Sequence, residues 1–253
     1  GPPASTPAEA LGGSTANESE TGVGIAAAAA VNLVNDTIQS SIADAGRVYA
    51  GFVAVDAQND FGSVSASGGV AFAKVESGST AVGLAGAFSL NQINSATTAS
   101  VQDTAFTLND NATGAATSED TLRVSGVNDA RIFSLAAGGA GAVAAGASGS
   151  PSGSTAVAVA GSVTINLIGG DTSALLTDST IALTAGDARV EASDTESIIA
   201  AAGGLAFSFA NGEQGSSTAV AAGVAIAVNS ISGDAQAVVE GSTLSWANGA
   251  QGD

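Results

Sequence analysis

The chain has no cysteine, no histidine and no methionine. Without cysteine there is neither a disulfide scaffold nor a thiolate metal site, although long repetitive secreted proteins can be stable without bridges. A chain that opens Gly1-Pro2 in place of an initiator methionine carries what reads as a protease scar, and residues 1–20, rich in Pro, Ser, Thr and Glu, read as tag and flexible loop. Bases are scarce: five (Arg47, Lys74, Arg123, Arg131, Arg189) face 23 acids, for a net charge of −18. Such a surface repels phosphate backbones and anionic lipid, so nucleic acid is excluded as a natural partner, and so is the bare membrane. No run of about 18 bulky apolar residues occurs, and direct membrane insertion through a helix is not expected. The longest apolar run, 25–33, is mostly alanine and is interrupted by Asn32.

What is present is alanine, valine, isoleucine and 34 glycines, ordered with a period of two. From Val157 every second residue reads Val157, Val159, Gly161, Val163, Ile165, Leu167, while the alternate face reads Ala156, Ala158, Ala160, Ser162, Thr164, Asn166. That alternation is the signature of a strand. In the fourth copy the second face is Ala219, Ala221, Gly223, Ala225 and Ala227, small and uncharged, whereas a strand with one solvent face alternates to polar. The small face therefore calls for a cover: a closely approaching second layer, a loop or a neighbouring molecule.

The pattern recurs. With Asn32, Asn91, Asn166 and Asn229 as origin, the preceding position is Val31, Leu90, Ile165 and Val228, and position +10 is Ile42, Val101, Leu176 and Val239. Extended to position +17 (Tyr49, Leu108, Leu183, Trp246), the four copies align without a gap. A later segment repeats too: 55–72 matches 190–207 in length, and 124–143 is a third version with one residue added. Each ends in a glycine pair, Gly68-Gly69, Gly138-Gly139 and Gly203-Gly204. The alanine run at 22–46 tempts a helix assignment, but its aligned copies carry Val, Thr, Ile and Gly, and tandem copies share a backbone.

These observations predict an all-β fold, a parallel β-solenoid (β-helix) of four tandem repeats of about 60–75 residues. Residues 21–253 form one elongated repeat domain, with repeats near 21–78, 79–153, 154–215 and a truncated 216–253, cut from a longer array. Within a unit, strands of about 155–168, 172–177, 180–184, 188–193 and 197–210 are expected. Turns are expected at Asn35-Asp36, Gly169-Gly170-Asp171, Gly233-Asp234 and near Asp178. Each unit would supply two to three coils, giving a rod of about 45–55 Å. The alternative is stacked long antiparallel hairpins in two layers.

Chemistry is sparse. The acids Glu191, Asp194 and Glu196, and the pair Glu119 and Asp120, are the candidates for glycoside or polyuronide chemistry, which requires opposed carboxylates. Few groups are present to bind an acidic sugar, and solvated strand and turn acids explain these residues, so no catalytic residue is assigned. Asp44, Asp103 and Asp178 recur at position +12, where the fourth copy has Gly241. Turn formation is their first explanation and a weak calcium site the second; no other cofactor is expected. Glycine-rich segments such as 138–149 match neither a phosphate-binding loop nor a dinucleotide fingerprint. One Thr per unit (Thr80, Thr155, Thr218) is too sparse for an ice-binding ladder. Phe88, Phe106, Phe207 and Trp246 fall at strand-periodic positions and are expected in the core.

The pattern of 156–190, AVAVAGSVTINLI followed by DSTI and GD turns, resembles repeats of very large secreted bacterial surface proteins. These are the filamentous-haemagglutinin-like and leukotoxin-type adhesins with β-solenoid shafts. The likeness spans about 21–253 and implies an extracellular or cell-surface structural stalk, with no catalytic residues to carry over. Implied partners are neighbouring repeats of the same longer chain and cell-surface glycans or proteins met through the variable loops. Lateral self-association through the Ala/Gly faces is the further possibility that the strand pattern raises. The alternative function is a polysaccharide-binding or polysaccharide-cleaving β-helix.

Overall fold

A computed structural model describes residues 21–76, 80–108, 122–146, 153–184, 186–212 and 215–246. The strands are β1 (Thr21–Ala50), β2 (Val53–Val75), β3 (Thr80–Leu108), β4 (Leu122–Ala145), β5 (Thr155–Thr177), β6 (Thr180–Leu183), β7 (Ala188–Asn211), β8 (Thr218–Glu240) and β9 (Thr243–Trp246). All pairings among the described residues are parallel, which removes the antiparallel-hairpin alternative. One sheet stacks β1, β3, β5 and β8, with β6 and β9 continuing β5 and β8 beyond a short break; the other stacks β2, β4 and β7. The fold is a parallel β-solenoid of two facing sheets.

Each repeat makes one very wide coil, not two or three. The 29 residues of β3 extend roughly 95 Å, and each further coil adds only ~4.8 Å of stack. The rod expected along the stack is instead a plate, elongated along its strands. The expected turns at Asn35-Asp36 and Gly169-Gly170-Asp171 fall inside continuous strands, where the neighbouring strands pair with them residue for residue. The expected break between 193 and 197 is likewise absent, because β7 is continuous.

Register corrects two details of the alignment. β1 carries a bulge between Ala43 and Gly46, so Ala50, not Tyr49, sits beside Leu108. The second segment gains no residue: β2 and β4 pair unbroken from Val53 and Leu122 to Val75 and Ala144. The glycine pair of the second copy is shifted instead, so that the inward column is Gly69, Gly138 and Gly204.

The interior has two regimes. At one end it is built from alanine: Ala26, Ala71, Ala85, Ala142 and Ala158 are buried between the sheets. Here the backbones nearly touch, since a Cβ built on Gly138 would lie 2.5 Å from the Gly161 carbonyl oxygen, and one on Gly69 would lie 2.4 Å from that of Gly86. Facing sheets with ordinary side chains stand ~10 Å apart. The closely approaching second layer is therefore the cover of the small face, and the larger residues point outward: Ile25, Val31, Val159 and Ile226 are exposed. At the other end the pattern is conventional, with Val101, Phe106, Leu108, Leu122, Leu176 and Ile181 buried. Outward positions there are mixed, polar at Gln102 and Thr107 and apolar at Tyr49 and Leu175.

Of the aromatic residues expected in the core, Phe106 is buried and Trp246 packs, half-buried, against the same cluster, whereas Phe88 lies half-buried on the outer face of the first sheet. Phe207 is not in the core, being 55% exposed on the outer face of the second sheet. Its ring and that of Phe72 lie 6.2 Å apart above Gly141, whose missing side chain leaves them room.

Candidate functional site

The three recurrent aspartates stand at the same structural corner. Asp44, Asp103 and Asp178 have φ of 51°, 47° and 48°, and Gly241, their counterpart in the fourth copy, has φ 62°. Left-handed backbone is the one requirement that Asp and Gly share and most residues resist. The residue after the corner completes the device. The hydroxyls of Thr104, Ser179 and Ser242 donate back to the carbonyls of Gln102, Thr177 and Glu240, at 2.8, 2.8 and 3.1 Å. They also accept the backbone N–H of Ala45, Thr104 and Ser179 from the preceding coil, at 3.4, 3.3 and 3.1 Å. The Ser or Thr that follows the corner in the last three copies thus stitches coil to coil. The aspartate side chains are exposed, and among the described residues no group of three or more Asp or Glu is arranged to hold a metal ion.

The candidate acids are divided by the sheet. Glu191 points outward into an ion pair with Arg189, beside the Asp56–Arg123 pair, around a polar hollow of about 290 Å³. Asp194 and Glu196 point inward, toward β5 and β8. Asp194 Oδ1 accepts from Asn128 Nδ2 at 2.8 Å, and Asn128 Oδ1 accepts from Asn59 Nδ2 at 3.0 Å. Asp194 is thus the third member of a side-chain ladder, in the place of an asparagine. Glu196 occupies the next inward position, its Oε1 has no hydrogen-bond partner, and burial, followed by the Asp194 charge, raises its carboxyl above the ordinary value. The two acids share one side of the interior and do not oppose one another across a cleft. Glu119 and Asp120 lie outside the described residues.

The asparagines used to align the copies form a second ladder. Asn32 Nδ2 donates to Asn91 Oδ1 at 2.8 Å, Asn91 to Asn166 at 2.7 Å, and Asn166 to Asn229 at 2.8 Å. Asn91 also donates to Ser89 and Ser134, and Ser89 shares a hydrogen bond with Ser65, joining the two sheets through a buried polar seam. The sequence shows the Asn column as a marker of register. The ladder Asn59–Asn128–Asp194 is missed because its third member has changed residue type, although the aligned triplets QND, VND and SDT hold the signal.

The Ala/Gly faces invoked for lateral association lie inside the molecule, packed sheet against sheet. The surface available there is the outward Val/Ile/Leu/Phe face. Comparison with known protein families, characterised proteins and solved structures finds no match to this chain. Among the described residues no helix is long and apolar enough to cross a membrane.

Proposed function

We propose that this chain is a structural segment of a large secreted or cell-surface adhesin, a stiff plate that displays its connecting loops along two narrow rims. The observation that carries the reading is the unbroken parallel register across successive coils, in which inward polar groups are used largely for coil-to-coil bonding. Strand ends line up by rim: Thr80, Thr155 and Thr218, with Ala145 and Asn211, along one, and Ala50, Leu108 and Leu183, with Val53, Leu122 and Ala188, along the other. Strands of 23 to 30 residues hold the rims about 75–100 Å apart, so the spacing is set by strand length and the number of loops by the number of coils. Small-angle scattering on chains carrying three, four and five repeats tests this. The longest dimension should stay near 100 Å while the stack thickens by ~4.8 Å per repeat. Loop exchange should move glycan or protein binding between chains. Polysaccharide turnover that disappears in Asp194→Asn or Glu196→Gln would overturn the structural reading in favour of an enzyme.

A further inference from the structure

We infer that two copies of this chain pair face to face through the outer surface of the β1–β3–β5–β8 sheet, about a two-fold axis parallel to the stack. The inference is independent of the adhesin reading. Over 21–35, 80–94, 155–169 and 218–232 this face carries no ionisable residue, in a chain of net charge −18. The outward rows from Val23 to Leu33 and their partners measure roughly 33 Å along the strands and about 19 Å across four strands. That gives about 630 Å² per copy and ~1,250 Å² in total, above the ~1,000 Å² a specific interface requires.

The relief of the face selects the partner. Ala27, Gly86 and Gly161 form the floor of a shallow apolar groove of about 510 Å³ that Val224 ends, and the next outward row is Ala29, Phe88, Val163 and Ile226. An axis along the stack, passing between these two rows, sets each ridge into the other copy's groove: Phe88 against Gly86, Val163 against Gly161. The same operation places Leu84 on Leu90 and Val159 on Ile165, so the whole apolar band is used. An axis along the strands would set groove on groove and leave voids. The chosen operation also makes strands of the two copies antiparallel, sending the acidic halves to opposite ends. Anionic lipid is the poorer occupant, because the chain's net charge of −18 repels it.

Sedimentation equilibrium tests the proposal. Wild type should approach twice its 23.8 kDa, about 48 kDa, and tighten as salt screens the net charge. Gly86→Glu should be monomeric and folded, since a Cβ there meets no atom within 4 Å. Gly203→Glu, equally unobstructed but on the opposite sheet, should remain dimeric. Phe88→Ala should weaken the dimer by about tenfold or more. A wild type that stays monomeric in high salt, a dimer unmoved by Gly86→Glu, or equal loss in Gly203→Glu would overturn the proposal. So would a monomer that floats with phosphatidylcholine vesicles, which would assign the face to lipid.

Discussion

Asn91 and Asn166, 75 residues apart in sequence, are joined side chain to side chain at 2.7 Å in the middle of the interior. A primary amide donates through one end and accepts through the other, so a column of them bonds end to end along the stack and keeps a second N–H for neighbours such as Ser89. Removing one member breaks two links, to Asn91 and to Asn229. Asn166→Ala should lower stability by about 2 kcal/mol, the cost of leaving buried amide groups unpaired. Asn166→Asp keeps the acceptor, loses the donor and buries a charge. It should cost more at pH 7 and recover part of the loss once the new carboxyl is protonated, as urea midpoints at the two pH values will show.

The glycine pairs supply a sharper contrast. Gly138 and Gly139 are adjacent, yet only the first points inward. A Cβ on Gly138 would lie 2.5 Å from a backbone oxygen, whereas one on Gly139 meets Val70 methyls at 3.6 Å and beyond. Gly138→Ala should therefore force the sheets apart at a cost of about 3 kcal/mol or more. Gly139→Ala should be neutral or stabilising by up to about 1 kcal/mol, through the reduced freedom of the unfolded chain. Thermal unfolding of the two variants side by side checks the assignment of faces directly.

Much of this fold is legible in the sequence, and the illegible part has physical causes. Period-two alternation in Val157–Leu167 and the repeated Asn column give strands and copies. Which face of those strands lies inside is not legible, because Ala156, Ala158 and Ala160 are as apolar as Val157 and Val159. Only the proximity of the second sheet, set by Gly69, Gly138 and Gly204, makes the smaller face the interior one. Asn35-Asp36 and Gly169-Gly170 carry turn chemistry, but neighbouring strands pair with these residues, and strand context overrides local preference. The candidate acids are legible only by type. The inward placement of Asp194 and Glu196, and the outward placement of Glu191, depend on β7 being a single strand.

The corner at Asp103 separates a turn role from a metal role. If the aspartate is there for its left-handed backbone, Asp103→Gly should retain full stability, within about 0.5 kcal/mol, as Gly241 does at the same corner of the fourth copy. Asp103→Val should lose about 1–2 kcal/mol. Neither calcium nor a chelator should move the melting temperature of wild type or of Asp103→Gly. A calcium-dependent rise in wild type that the glycine variant lacks would assign the column to cation binding instead.

Glu196 supplies the pH-dependent prediction. Its carboxyl is raised, first by burial and then by Asp194, and its Oε1 lacks a partner. The charged form is therefore disfavoured in the fold relative to the unfolded chain. With the folded value above the unfolded one, the contribution to stability is fully present below the unfolded pKa, near 4.3, and is lost as pH rises through the folded value. Glu196→Gln removes that titration. It should raise the urea midpoint at pH 7 and match wild type near pH 3.5, where the glutamate is already neutral. Phe61 and Ala130 occupy the same position in the other two coils, so Glu196→Ala, which matches one of them, should stabilise in the same direction at pH 7. A midpoint that falls in both variants at pH 7 would mean that the Glu196 carboxylate, as an anion, holds β7 against β8.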